Sequence, residues 1–364
     1  MEALIFGQGP HLVEADVGCG KTHLLHHIRE KALEQRFIVS LVTVDAEQEV
    51  RFNRLDQIAG AVFRSLEVPD VPDGRGVQPF MNTLCQIIED SRFKSSSGDF
   101  WPRLTNEWKW DMDIHGLIES PALYMALRAW CAGEDSERNL VIDWLGHPWR
   151  YYDDRRRLVR ILVEDLRSHF IDPRPPSVLF SNKARIFHFQ EPDYIQSWAV
   201  LRDIDRLARA AGFKGLILLF DEMDDIHDKL GNLKFLKIAL ANLFRFLQPK
   251  FFNGKSFFAI CADFEKKCRQ EFIRKRQGNY DLSQLEQIPR FRTSALREED
   301  LMSLAKKIIV AHSAAYGWIE DADAVQQEME AVVRDVTNST LEHRPRQVVR
   351  AVVECLDERL EGHE

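Results

Sequence analysis

Ala15-Asp16-Val17-Gly18-Cys19-Gly20-Lys21-Thr22 is the stretch that decides the fold. A short apolar run, Leu12-Val13, leads into it, and Leu24-Leu25, Ile28 and Leu33 follow at helical spacing. A strand, a glycine-rich turn and a helix N-terminus in that order form the context of a phosphate-binding loop. The glycines let backbone N–H groups curl around a polyphosphate, whose charge is favoured at the positive end of the helix dipole. Lys21 then reaches the β- and γ-phosphates, and the Thr22 hydroxyl ligates Mg²⁺. The nucleotide-binding set is Ala15, Asp16, Val17, Gly18, Cys19, Gly20, Lys21, Thr22 and His23. Against the pattern G-x-x-x-x-G-K-[ST] one position departs, with Ala15 standing where the first glycine would be.

The rest of the composition sets limits. A chain of 364 residues with 45% hydrophobic and 29% charged residues has room for two or three cooperating units. Its net charge of −8 argues against broad non-specific coating of DNA and leaves room only for a local basic patch. No apolar run approaches the roughly 20 residues that span a bilayer, and Met1–Pro10 lacks the basic flank and apolar core of a signal peptide. The six cysteines have no C-x-x-C spacing, which argues against zinc and against a disulfide framework and fits a cytoplasmic protein. Cys19 reads as a small filler residue of the loop.

Outward from the loop, Phe37–Val44 is a β-branched apolar run that reads as a second, parallel strand reached through a crossover helix. Residues 54–66 carry Leu55, Ile58, Val62 and Leu66 on one helical face, and a Pro/Gly/Asp-rich turn follows. Residues 80–204 read as a largely helical insertion rich in tryptophan: Trp101, Trp108, Trp110, Trp130, Trp144, Trp149 and Trp198. Such aromatics make either a base-stacking platform or the core of a helical subdomain. The core reading is preferred. Arg150, Arg155-Arg156-Arg157 and Arg160 form the strongest candidate for a nucleic-acid footprint, against the alternative of a solvated helix face.

Regular α/β structure resumes with a helix over 201–210 and then Leu216-Ile217-Leu218-Leu219-Phe220-Asp221-Glu222. Five apolar residues in series predict a strand buried on both faces, with two acids where ligands collect in parallel sheets. Asp221 is placed to hold Mg²⁺ through a water, and Glu222 to polarise the water that attacks the γ-phosphate. A helix over 234–246 and the strand Ser256–Cys261 repeat the unit. At its tip Asp263 or Cys261 is a candidate γ-phosphate sensor, with a helix cap as the alternative for Asp263. Helices over 301–316, 324–333 and 345–360 then predict a small α-helical lid. In it, Arg346 and then Arg344 flank Pro345 at a helix start, where arginine is unfavourable unless an anion lies opposite; the alternative is a pair of solvated arginines.

These residues resemble the P-loop ATP-binding proteins associated with bacteriophage-exclusion (BREX) defence systems, a branch close to the AAA+ ATPases. The similar stretches are Val17–Thr22, Ala211–Leu216 running into Phe220-Asp221-Glu222, and Phe258–Phe264. Ala311-His312, Ala315–Trp318 and Arg344-Pro345-Arg346 are similar again. The resemblance implies an α/β, AAA+/Orc-like P-loop NTPase: a parallel sheet flanked by helices, with a helical insertion and a C-terminal helical lid. The expected division is 1–79 and 205–296 for the NTPase core, 80–204 for the insertion and 297–364 for the lid. It also implies ATP and Mg²⁺ as ligands, hydrolysis, and a role in phage defence. Self-association and other defence-system proteins are the expected partners, with Arg290, Arg292 and Arg297 as candidates to act in a neighbouring subunit's site or, equally, a surface face. DNA as a partner finds no support in the net charge, and no membrane is implied. Two other classes compete with an ATPase. One is a nucleotide-gated scaffold with little turnover, which would need no base at Glu222. The other is a DNA-handling motor or loader, which rests on the arginines and tryptophans alone.

Overall fold

The computed structural model describes residues 9–16, 18–71, 74–89, 118–132, 134–150, 189–190, 193–228, 232–275, 280–293, 296–318, 322–339 and 344–361. The chain runs β1 (Pro10–Glu14), α1 (Lys21–Glu34), β2 (Ile38–Thr43), α2 (Leu55–Ser65), β3 (Leu66–Glu67) and α3 (Val77–Glu89). Next come α4 (Pro121–Ala132), α5 (Asp135–Gly146), α6 (Ile195–Ala210), β4 (Leu216–Asp221), α7 (Asp225–Asp228), α8 (Leu233–Phe246) and β5 (Lys255–Ile260). It closes with α9 (Phe264–Arg274), α10 (Ser283–Glu286), β6 (Arg290–Arg292), α11 (Glu298–Tyr316), α12 (Ala322–Ser339) and α13 (Arg344–Glu361). The six strands make one sheet in the order β3-β2-β4-β5-β1-β6.

β2, β4 and β5 are parallel neighbours, with Ile38 opposite Leu216 and Ile217 opposite Lys255. The sheet is nevertheless mixed, which corrects the expectation of a purely parallel one. β3 pairs antiparallel with β2, Val39 opposite Glu67. The reason is local: β3 follows α2 directly at Leu66, without the crossover segment that a parallel return requires. Every residue of β4 is buried, as its unbroken apolar run predicts for a strand covered on both faces.

The chain divides into two compact units. The first comprises Met1–Leu12, Leu25–Ala259 and Asp263–Pro289, and the second Val13–Leu24, Ile260–Ala262 and Arg290–Glu364. In the first, Phe220 stacks on Phe258 with ring centres 5.0 Å apart, while Phe52 and Phe246 meet Phe258 edge-on. Trp198 sets its ring against Phe246 at 4.9 Å. Trp130, Trp144 and Trp198 are buried, so these three tryptophans are core and offer no stacking platform. Trp101, Trp108, Trp110, Arg155-Arg156-Arg157 and Arg160 lie outside the described residues.

α4 begins on a long-range cap. Asp203 of α6 is fully buried and accepts the backbone N–H groups of Glu119 and Ser120 at 2.9 and 2.7 Å. Burial pushes its carboxyl up to about 7, against the pull of those two hydrogen bonds. Cys85 and Cys131 are joined as a disulfide that ties α3 to α4. The sequence argues against a disulfide framework; this one link is not foreseen there, because a partner 46 residues away leaves no mark on spacing. In the second unit, α11, α12 and α13 pack around Leu301, Ala305, Val325, Met329, Val333, Val348, Val352 and Leu356. Each helix supplies an apolar stripe at i, i+4 spacing.

Candidate functional site

The glycine-rich loop is built at the end of β1. Leu12 and Val13 are fully buried, and the Ala15 N–H donates to Ile260 O at 3.2 Å. The loop then turns, the Cys19 N–H donating to Asp16 O at 3.1 Å. Gly18 and Gly20 hold φ at +83° and +85°, left-handed values at which a side chain is strained. An added Cβ at Gly20 would meet no atom within 4 Å, so backbone conformation alone demands glycine there. Ala15 needs no such conformation and is nearly buried, which explains how alanine serves where the pattern has glycine.

α1 starts immediately at Lys21 and runs for 14 residues, so its N-terminal N–H groups and dipole face the loop. The Lys21 ammonium donates to Cys261 Sγ at 2.9 Å and to Ala15 O at 3.4 Å. Thr22 is half-buried beside it, and His23, His26 and His27 stand exposed on the helix. Val17 lies outside the described residues. The donor set is backbone N–H groups, one ammonium and one hydroxyl, with glycine at both turning points. That chemistry fits a polyphosphate.

Two residues that the sequence did not single out brace this loop. Glu14, nearly buried, receives Arg290 Nη1 at 3.0 Å and Arg292 Nε at 3.2 Å. Thr293 donates its N–H to Glu14 O at 3.1 Å and its hydroxyl to Cys19 O at 3.4 Å. No sequence signal links positions more than 270 apart. Arg290 and Arg292, read as candidates to act in trans, thus hold β1 in place. Arg297 opens α11, its N–H donating to Asp300 Oδ2 at 2.9 Å.

The acidic pair ends β4 in the other unit. Asp221 is nearly buried, its carbonyl accepts the Val44 N–H at 3.0 Å, and its Oδ1 accepts the Glu222 N–H at 2.9 Å. Glu222 is exposed and sits at φ +56°, a left-handed conformation uncommon for a residue with a side chain. Met223, fully buried, and its N–H bond to Ala259 O fix the turn that imposes this geometry. The Asp221 carboxylate is a hard oxygen donor of the kind that suits Mg²⁺. Among the described residues no three His, Cys, Asp or Glu side chains form a metal cluster.

Asp263 precedes α9, and its carboxylate pairs with Lys267 at 3.3 Å and does not cap the helix. Arg346 is exposed in the first turn of α13; the side chain of Arg344 lies outside the described residues.

Fold and site together define an α/β protein with a mixed six-stranded sheet flanked by helices, an architecture compatible with P-loop nucleotide binding. Within that class, residues 7–164 match the protein family described as BREX system ATP-binding protein BrxC/D. The family's name is that of an ATP-binding protein of the BREX phage-defence system. No curated protein and no solved structure matches the chain. Among the described residues no helix is long and apolar enough to cross a membrane.

Proposed function

We propose that the chain is a Mg²⁺-dependent, AAA+-like ATPase acting as a nucleotide-driven component of a bacterial anti-phage assembly. The observation that carries this reading is the pair at the end of β4: a buried, hydrogen-bonded Asp221 followed by an exposed Glu222 in a strained left-handed turn. A protein that only held nucleotide would have no need of an acid kept in that conformation. In this reading Lys21 would neutralise the β- and γ-phosphates, and Thr22 and Asp221 would each offer an oxygen to the cation. Mg²⁺, when bound, offsets the charge that spreads over the phosphate oxygens. Glu222 takes a proton from the attacking water as its oxygen bonds to the γ-phosphorus, and the bond to the β-phosphate oxygen breaks to release ADP.

Asp263 is proposed to report the γ-phosphate, and Arg346 with Arg344 to couple the lid to the nucleotide. Self-association would let an arginine act in trans. With Arg290 and Arg292 engaged by Glu14, Arg297 is the favoured one. Other proteins of the same defence system are the proposed partners.

The test is phosphate release at saturating ATP and Mg²⁺. Glu222→Gln is expected to keep ATP affinity and lose about 10²–10⁴-fold of turnover, the range for a removed general base. Phosphate release equal to that of the unsubstituted chain would remove Glu222 from the reaction.

A further inference from the structure

His312 and Trp318 have no part in the proposed chemistry, yet they meet in a closed set of contacts at the end of α11. His312 is buried, at 7% exposure. Trp318, just beyond the helix, donates its indole N–H to His312 Nδ1 at 2.8 Å. Across the ring, His312 Nε2 lies 2.9 Å from Asp357 Oδ1 on α13. Tyr316 sets its ring against the imidazole, centres 4.5 Å apart. The Trp318 backbone is held separately, by Ser313 Oγ donating to its carbonyl at 2.5 Å. The indole itself packs, partly buried, against the core that α11, α12 and α13 share.

These contacts place the ring proton. An indole N–H can only donate, so Nδ1 carries a lone pair and the proton sits on Nε2, facing the Asp357 carboxylate. An imidazolium has N–H at both nitrogens. Its Nδ1–H would point at the Trp318 N–H, donor against donor, while its Nε2–H would keep Asp357 and gain a charge-assisted bond. Protonation thus breaks one arm and strengthens the other. Imidazole ordinarily changes charge between about pH 5 and 8. Asp357, half-exposed, is the charged group in contact with the ring. Among its neighbours, Glu354 pairs with Arg350 on α13, and Arg359 pairs with Glu328 of α12. The Cys355 thiol also turns to Glu328, and Tyr316 and Glu358 stand exposed.

We propose that His312 is a proton-operated latch of the helical unit. Neutral, it holds the Trp318 indole and Asp357 together. Protonated, it releases the indole and keeps Asp357 alone. Acidification therefore loosens the exit from α11 towards α12 without parting α11 from α13. Only the indole is freed, because Ser313 still holds the Trp318 carbonyl. The latch is independent of whether the chain hydrolyses ATP.

The experiment is nuclear magnetic resonance of the full chain with isotope-labelled histidine and tryptophan, the two signals assigned by their loss in His312→Asn and Trp318→Phe. At about pH 8 the His312 ring is expected to carry its proton on Nε2, with Nδ1 bare. On acidification to about pH 5.5 the Trp318 indole signal is expected to move with the same midpoint as the His312 ring. Its N–H then exchanges about fivefold faster relative to that of Trp130, which is bound to Asn82 Oδ1, as the loss of one hydrogen bond predicts. In Asp357→Asn the shared midpoint falls to lower pH, because the imidazolium loses its carboxylate. In His312→Asn the Trp318 signal no longer responds. A proton on Nδ1 at the alkaline end, or an indole signal indifferent to the His312 titration, would overturn the proposal. So would an indole response that persists in His312→Asn.

Discussion

Glu222 concentrates the argument at the residue scale. A left-handed residue with a side chain costs about 1–2 kcal/mol, and Glu222 adopts that conformation while exposed to solvent. The turn after Asp221, fixed by the Met223 N–H bond to Ala259 O, imposes that conformation. Glu222→Gly removes the strain and adds roughly 0.4–1 kcal/mol of unfolded-state entropy. The variant is therefore expected to be about 0.5–1 kcal/mol more stable in urea melts and inactive in turnover, a trade of stability against function. A marked loss of stability would show that the turn owes nothing to strain. The sequence gives the identity of this acid, since an apolar run ending in Asp-Glu is visible. Its backbone conformation is invisible there, because the turn depends on Met223 bonding to a neighbouring strand.

At the scale of elements, helix packing around α2 turns on one position. Gly60 lies in the helix interior, where alanine ordinarily stabilises by close to 1 kcal/mol. Here an added Cβ would fall 2.6 Å from Gly146 O and 2.7 Å from the ring of Trp149, and a backbone carbonyl cannot swing away. Gly60→Ala is expected to lower stability by about 1–3 kcal/mol, the cost of overpacking, read as a lower urea midpoint at unchanged slope. An increase would mean that α2 and the 146–149 turn are loosely packed. Period and composition expose α2, β2, β4 and β5 because each is long enough to show a pattern. β3 and β6 span two and three residues and carry none. The disulfide between Cys85 and Cys131 and the cap that Asp203 places on α4 depend on chain segments meeting across 46 and 84 positions or so. Local sequence does not record such pairings.

For the whole molecule, the order of motifs was legible where geometry was not. The loop at 15–22, the acids at 221–222 and the helices from 298 onward are all visible as motifs in sequence order, and the family match, over residues 7–164, covers the loop. The sequence does not show that the loop falls in one compact unit and the acidic pair in the other. Nor does it show that Glu14, Arg290, Arg292 and Thr293 lock β1 beneath the loop, because their partners lie at opposite ends of the chain. Net charge is equally uninformative about place. A total of −8 does not show that Lys214 and Lys255 meet over one ring, that of Phe37.

ATP binding through the glycine-rich loop underlies every other statement about function. It is tested most directly by calorimetric titration of ATP, with Mg²⁺, into the full chain and into Lys21→Ala. Saturable binding by the unsubstituted chain and at least about 100-fold weaker binding by Lys21→Ala, roughly 2.7 kcal/mol, is the expected result. Equal affinity in the two proteins, or no binding by either, would contradict the account.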